Sequence, residues 1–128
     1  MRLVIVRHAE AAPGDPDELR PLTADGRVRA RRLGEQLHAD GLAPDAVVCS
    51  PLLRARETAA ALALGEPRVD ERLAPGATPE DVRAVADEYG EVVVVVGHQP
   101  DCGRAAAVLG GIAEPPFPPC GHATLDLM

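Results

Sequence analysis

The chain has no lysine and no tryptophan, and Tyr89 and Phe117 are its only aromatic residues apart from histidine. All thirteen basic residues are arginine, which excludes a lysine Schiff-base mechanism. With so few rings, Val, Leu, Ile and Ala must build the core. Positive charge is scarce as well: thirteen basic against twenty acidic residues give a net charge of -7. General nucleic-acid binding wants a basic face, so this balance argues against it. An acidic protein that handles an anion must gather its positive charge locally. Cys49, Cys102 and Cys120 are odd in number and show no Cys-x-x-Cys spacing. They read as small apolar thiols in a reducing compartment, not as a disulfide or zinc framework. No apolar run reaches transmembrane length. Leu3–Val6 is too short for a signal-peptide core and is interrupted by Arg7-His8. The expected location is the cytoplasm.

What is present reads as one domain over residues 1–128, long enough for a single core. Residues 2–6 form a continuous apolar run, the pattern of a strand buried on both faces. A Pro- and Asp-rich loop covers 12–21. Thr23 then caps a helix to about Asp40, with Leu33 and Leu37 at i, i+4 and Gly41 as its stop. Residues 46–49 predict a second strand, and Ser50-Pro51 a helix start with serine as cap and proline at its first position. That helix is expected to stop at Gly65. A short strand is expected near 68–70, and a helix from Thr78-Pro79 to about Tyr89. Five consecutive valines, 92–96, make the clearest strand. Gly97-His98-Gln99-Pro100 leads into a helix of about ten residues ending at Gly110-Gly111. A proline-rich connector and a last strand at 123–127 complete the chain. Alternating strands and helices predict an α/β three-layer sandwich around a largely parallel sheet.

In such sheets ligands bind beyond the carboxyl ends of the strands. Three strands here end in polar groups suited to phosphate: Arg7-His8, Ser50 with Arg54 following, and His98. A neutral imidazole at His8 can attack phosphorus in line and hold the phosphoryl group covalently. That needs one bare ring nitrogen, with the other fixed by a hydrogen bond, for which a backbone carbonyl of the loop is the natural partner. Arg7 and Arg54 form the natural clamp, since guanidinium forks match phosphate oxygens and remain charged. His98, protonated beside bound phosphate, would donate a further hydrogen bond. No metal and no other cofactor is required, because the protein itself supplies the positive charge. Each residue alone is compatible with a surface or structural role. Their joint placement at strand ends points to chemistry.

The run Val4-Ile5-Val6-Arg7-His8-Ala9-Glu10-Ala11 resembles the Arg-His motif of the histidine phosphatase (phosphoglycerate mutase-like) superfamily. Ser50-Pro51-Leu52-Leu53-Arg54-Ala55-Arg56-Glu57-Thr58-Ala59 resembles its second motif, and Val96-Gly97-His98-Gln99-Pro100 its third. The resemblance implies a phosphoglycerate mutase-like fold, His8 as the phosphorylated nucleophile, and Arg7, Arg54 and His98 as the phosphate pocket. Small size, the segment Arg20-Pro21-Leu22-Thr23 and the Pro-rich tail are most similar to the short SixA-type phosphohistidine phosphatases. By that similarity Arg20 binds substrate phosphate from the loop. As a residue in its own right it reads equally as a surface arginine before a helix.

One departure narrows the chemistry. Mutases and many ester phosphatases of the family carry a catalytic carboxylate at a place that matches Pro75 here. Its loss should hurt substrates whose alkoxide must be protonated as it leaves. Phosphohistidine loses an imidazole, which asks less. Glu10, Asp15, Asp17, Glu18, Glu57 and Asp101 lie near strand ends, but none is assigned a catalytic role. The expected function is therefore a metal-independent phosphatase acting on phosphohistidine in a partner protein. The alternatives are a phosphatase of a small sugar or nucleotide-like ester, and a non-catalytic phosphoprotein-binding module.

Overall fold

A computed structural model describes residues 1–128. Its five-stranded sheet comprises β1 (Arg2–Arg7), β2 (Ala46–Cys49), β3 (Pro67–Val69), β4 (Val92–Gly97) and β5 (His122–Asp126), in the order β3-β2-β4-β1-β5. The first four strands run parallel; β5 pairs antiparallel with β1 at one edge. The helices are α1 (Ala24–Ala39), α2 (Leu53–Leu62), α3 (Pro79–Tyr89) and α4 (Asp101–Gly110).

Alternation along the central strands builds both cores. Leu3 and Ile5 of β1, with Val93 and Val95 of β4, pack against Val82, Val85 and Ala86 of α3 and Ala105 and Ala106 of α4. Their neighbours Val4, Val6, Val94 and Val96 face the opposite way, onto Leu37 of α1 and Ala55, Ala59 and Leu62 of α2. A strand covered on both faces has no polar side to show, which is why these runs lack polar residues. The expected three-layer sandwich is the architecture observed. No helix of the structure is long and apolar enough to cross a membrane.

Local signals hold at most helix ends. Thr23 caps α1 by accepting from Gly26 N–H, and Thr78 forms a reciprocal capping box with Asp81 ahead of Pro79. The start of α2 differs from the expectation. It begins at Leu53, with Leu52 as a cap that offers no side-chain bond, and it ends at Leu62 on a left-handed Ala63. Ser50 does not cap it, because its hydroxyl serves the turn and a histidine described below. The third and fifth strands each begin one residue earlier than expected.

Small residues set how closely α1 and α2 approach. A Cβ at Gly34 would overlap the Leu62 carbonyl, so the two backbones touch at this crossing. Gly34→Ala should therefore destabilise the fold by about 1–3 kcal/mol, as overpacking does. Urea unfolding checks this, and an unchanged midpoint would contradict the close contact.

Candidate active site

Register delivers the site. β1 and β4 pair with Arg7 opposite Gly97, and β2 pairs with β4 with Cys49 opposite Val96. The next residues, His8, His98 and Ser50, therefore leave the sheet side by side at its carboxyl edge. The rings of His8 and His98 lie 5.3 Å apart, centroid to centroid. The backbone past β1 is well fastened: His8 N–H donates to the Gly97 carbonyl, and Cys120 N–H donates to the His8 carbonyl.

His8 is half-buried, and its Nδ1 lies 2.8 Å from the Ala9 carbonyl. A carbonyl can only accept, so Nδ1 carries the proton and Nε2 is left with a lone pair. Burial lowers the pKa of His8, opposed by the Ala9 bond and helped by the charges of Arg54, Arg7 and Arg20. The ring is thus held neutral, the form a nucleophile needs.

Arg54, on the first turn of α2, is buried. Its Nη1 donates to the Asp17 carbonyl and its Nη2 to the Asp17 carboxylate, at 3.0 and 3.2 Å. Arg7 Nη1 donates to the Phe117 carbonyl at 2.9 Å. The Nε atoms of both arginines are buried without a protein partner. Two guanidinium groups with unspent donors beside a neutral imidazole form an anion seat. Arg20 joins through the loop: its Nε donates to the Ala12 carbonyl and its Nη1 to Asp17. Arg7, His8, Arg54 and His98 are brought together, and Arg20 is linked to them by the carboxylate it shares with Arg54.

His98 is buried, and its Nε2 lies 2.7 Å from Ser50 Oγ, which also accepts the Leu52 N–H. Burial, then the nearby charges of His8 and Arg54, push its pKa down to about 4. In the ligand-free protein His98 is therefore neutral, and the protonated form expected from the sequence belongs to the phosphate-bound site. The Asp17 charge opposes this shift, and an arriving anion would favour the proton in the same way.

Neither histidine is hydrogen-bonded to a carboxylate. Pro75 stands in an exposed loop whose Gly76 and Ala77 amides are both held by the Asp101 carboxylate. Asp101 is thus committed to holding that loop. Glu57 accepts from Leu22 N–H and pairs with Arg27. Asp17 is the acid that touches the site, and its pKa is lowered first by Arg20 and also by Arg54. Sequence reasoning missed three supporting groups: the Asp17 contact, the Ser50–His98 pair and the buried Thr58. Thr58 was within reach, since it lies four residues after Arg54 on the same helix face.

The model of the histidine phosphatase superfamily (branch 1) matches residues 3–77. The chain belongs to that superfamily. It is 40% identical over 114 residues to the uncharacterised protein Rv1276c of Mycobacterium tuberculosis, across 84% of this chain and 72% of that one. A 58-residue stretch, 44% of this chain and 20% of the other, is 40% identical to the mitochondrial serine/threonine-protein phosphatase Pgam5 of Drosophila mojavensis. The structure of the protein histidine phosphatase SixA complexed with tungstate superposes with a TM-score of 0.86 at 28% identity. That match covers 97% of this chain and 86% of SixA. The fold is the phosphoglycerate mutase-like one.

Two outcomes follow from the electrostatics. In an NMR titration of this histidine phosphatase superfamily member, His98 should gain its proton only near pH 4, and His8 below the ordinary 6.5. The unfolded chain takes up the same protons near 6.5, so stability should fall as pH drops from 6.5 towards 4. Ordinary titration of both rings would refute the burial argument. Separately, Asp17→Asn removes a carboxylate that competes for Arg54. Inorganic phosphate should then bind up to about fivefold more tightly by calorimetry, the scale of one exposed ion pair. Equal affinities would show that Asp17 does not contest the seat.

Proposed function

We propose that this chain is a metal-independent phosphatase that hydrolyses phosphohistidine in a partner protein through a phosphorylated His8. The observation that carries the reading is His8 itself: Nδ1 is committed to the Ala9 carbonyl, and the bare Nε2 shares its strand edge with Arg7, Arg54 and His98.

In the first step the Nε2 lone pair of His8 attacks phosphorus, and the bond from phosphorus to the substrate's ring nitrogen breaks. When the other nitrogen of that ring carries a proton, the group leaves as neutral imidazole and needs no acid from the enzyme. Arg7 and Arg54 hold the phosphoryl oxygens, Arg20 binds them from the loop, and His98 donates once the anion has raised its proton affinity. Water then attacks the phosphoryl group on His8, the P–N bond breaks, and both water protons stay with the released phosphate. The proline at 75 and the absence of any carboxylate bonded to either histidine favour this substrate over alkyl esters, whose leaving groups demand a proton. The likeness to SixA over nearly the whole chain supports the same choice. The reading includes a cytoplasmic location, which suits three free, buried cysteines.

Rapid quench under turnover should trap acid-labile phosphate on wild-type protein and none on His8→Ala, which should lose activity by at least about 10³-fold while keeping its fold. A wild-type enzyme that turns over without such a label would remove the covalent step; binding without turnover would make the chain a phosphoprotein-binding module. In parallel, kcat/KM on a phosphohistidine protein should exceed that on sugar and nucleotide monophosphates. The reverse order, by tenfold or more, would make a small ester the substrate.

A further inference from the structure

Thr58 is fully buried in the middle of α2 and touches the two halves of the site at once. Its hydroxyl donates to the Arg54 carbonyl at 2.7 Å and accepts the Ala9 N–H at 2.9 Å. Ala9, itself fully buried, is the residue whose carbonyl holds His8 Nδ1. On either side of Ala9 the loop is held by other backbone: Cys120 N–H on the His8 carbonyl and Thr23 N–H on the Glu10 carbonyl. The Ala9 amide has only this hydroxyl.

A buried threonine often bonds back to its own helix and does nothing more. The contact to Ala9 goes further, because it crosses from the helix carrying Arg54 to the loop carrying His8. We propose that Thr58 is a positioning residue for the nucleophile. Its hydroxyl fixes residue Ala9, whose carbonyl holds His8 as the Nδ1–H tautomer and aims Nε2 at the anion seat. It also ties that aim to the helix turn bearing Arg54. The proposal rests on His8 being the nucleophile of the reaction given above.

Thr58→Val keeps the shape and removes the acceptor, whereas Thr58→Ser keeps the acceptor and removes a methyl group. The substrate of choice is p-nitrophenyl phosphate, whose phenolate leaves without an acid. Thr58→Val should lower kcat about 10- to 100-fold, the effect of a small misplacement of a reacting group, with KM changed by less than about threefold. Thr58→Ser should stay within about threefold of wild type in kcat. Nitrogen-15 NMR of the free proteins should show His8 as the Nδ1–H tautomer in wild type and Thr58→Ser, and as a mixture in Thr58→Val. Should the valine variant fail to fold, Thr58→Cys takes its place, since a thiol is a poor acceptor of nearly the same size as serine. A wild-type tautomer and a kcat within twofold of wild type in the acceptor-free variant would overturn the proposal. So would equal losses in the serine and acceptor-free variants, because packing would then be responsible. If wild-type protein hydrolyses neither this ester nor phosphohistidine, the phosphatase reading fails, and the tautomer comparison still decides the role of Thr58.

Discussion

The parallel pairing of β1 with β4 is the constraint on which the remainder depends. With Arg7 opposite Gly97, the residues that follow, His8 and His98, leave the sheet at one level. Because side-chain direction repeats every two residues, a slip of one position would turn Val4 and Val6 from one core to the other and exchange them with Leu3 and Ile5. Both faces are apolar, so burial alone tolerates such a slip poorly but does not forbid it. The backbone bonds beyond the strands help hold the register, through His8 to Gly97 and Cys120 to His8. The same contacts that complete the sheet thereby position the site.

A neutral His8 next to three arginines is an electrostatic arrangement maintained by burial. Desolvation is the largest influence on both histidines, and neighbouring positive charge pushes the same way. Cationic surroundings keep the rings unprotonated while the site is empty and are themselves ready for an anion. Asp17 meanwhile screens part of that charge from an exposed position, where solvent weakens its hold.

The thiols complete the picture by their inertness. Cys49 and Cys102 are pushed up to about 11 and about 12 by burial, so neither competes as a nucleophile. Cys102 instead packs in the core between the sheet and its α3–α4 layer.

How much of this was legible from sequence depends on the range of the interaction. Strand runs such as Val92–Val96 and caps such as Thr23 and Thr78 are local, and the chain alone determined them. The pairing of residue types with strand ends likewise pointed to Arg7, His8, Arg54 and His98, which the fold places near one another. Ser50 misled because Ser-Pro is a helix-start signal, yet its hydroxyl is drawn 48 residues along the chain to His98. Asp17 on Arg54, Asp101 under the 75–77 loop and Thr58 on Ala9 are bonds between segments 24 to 49 residues apart. Strand order, the neutral state of His98 and these three bonds were decided by tertiary structure alone. Their physical basis is proximity and burial, which exist only after the sheet has closed.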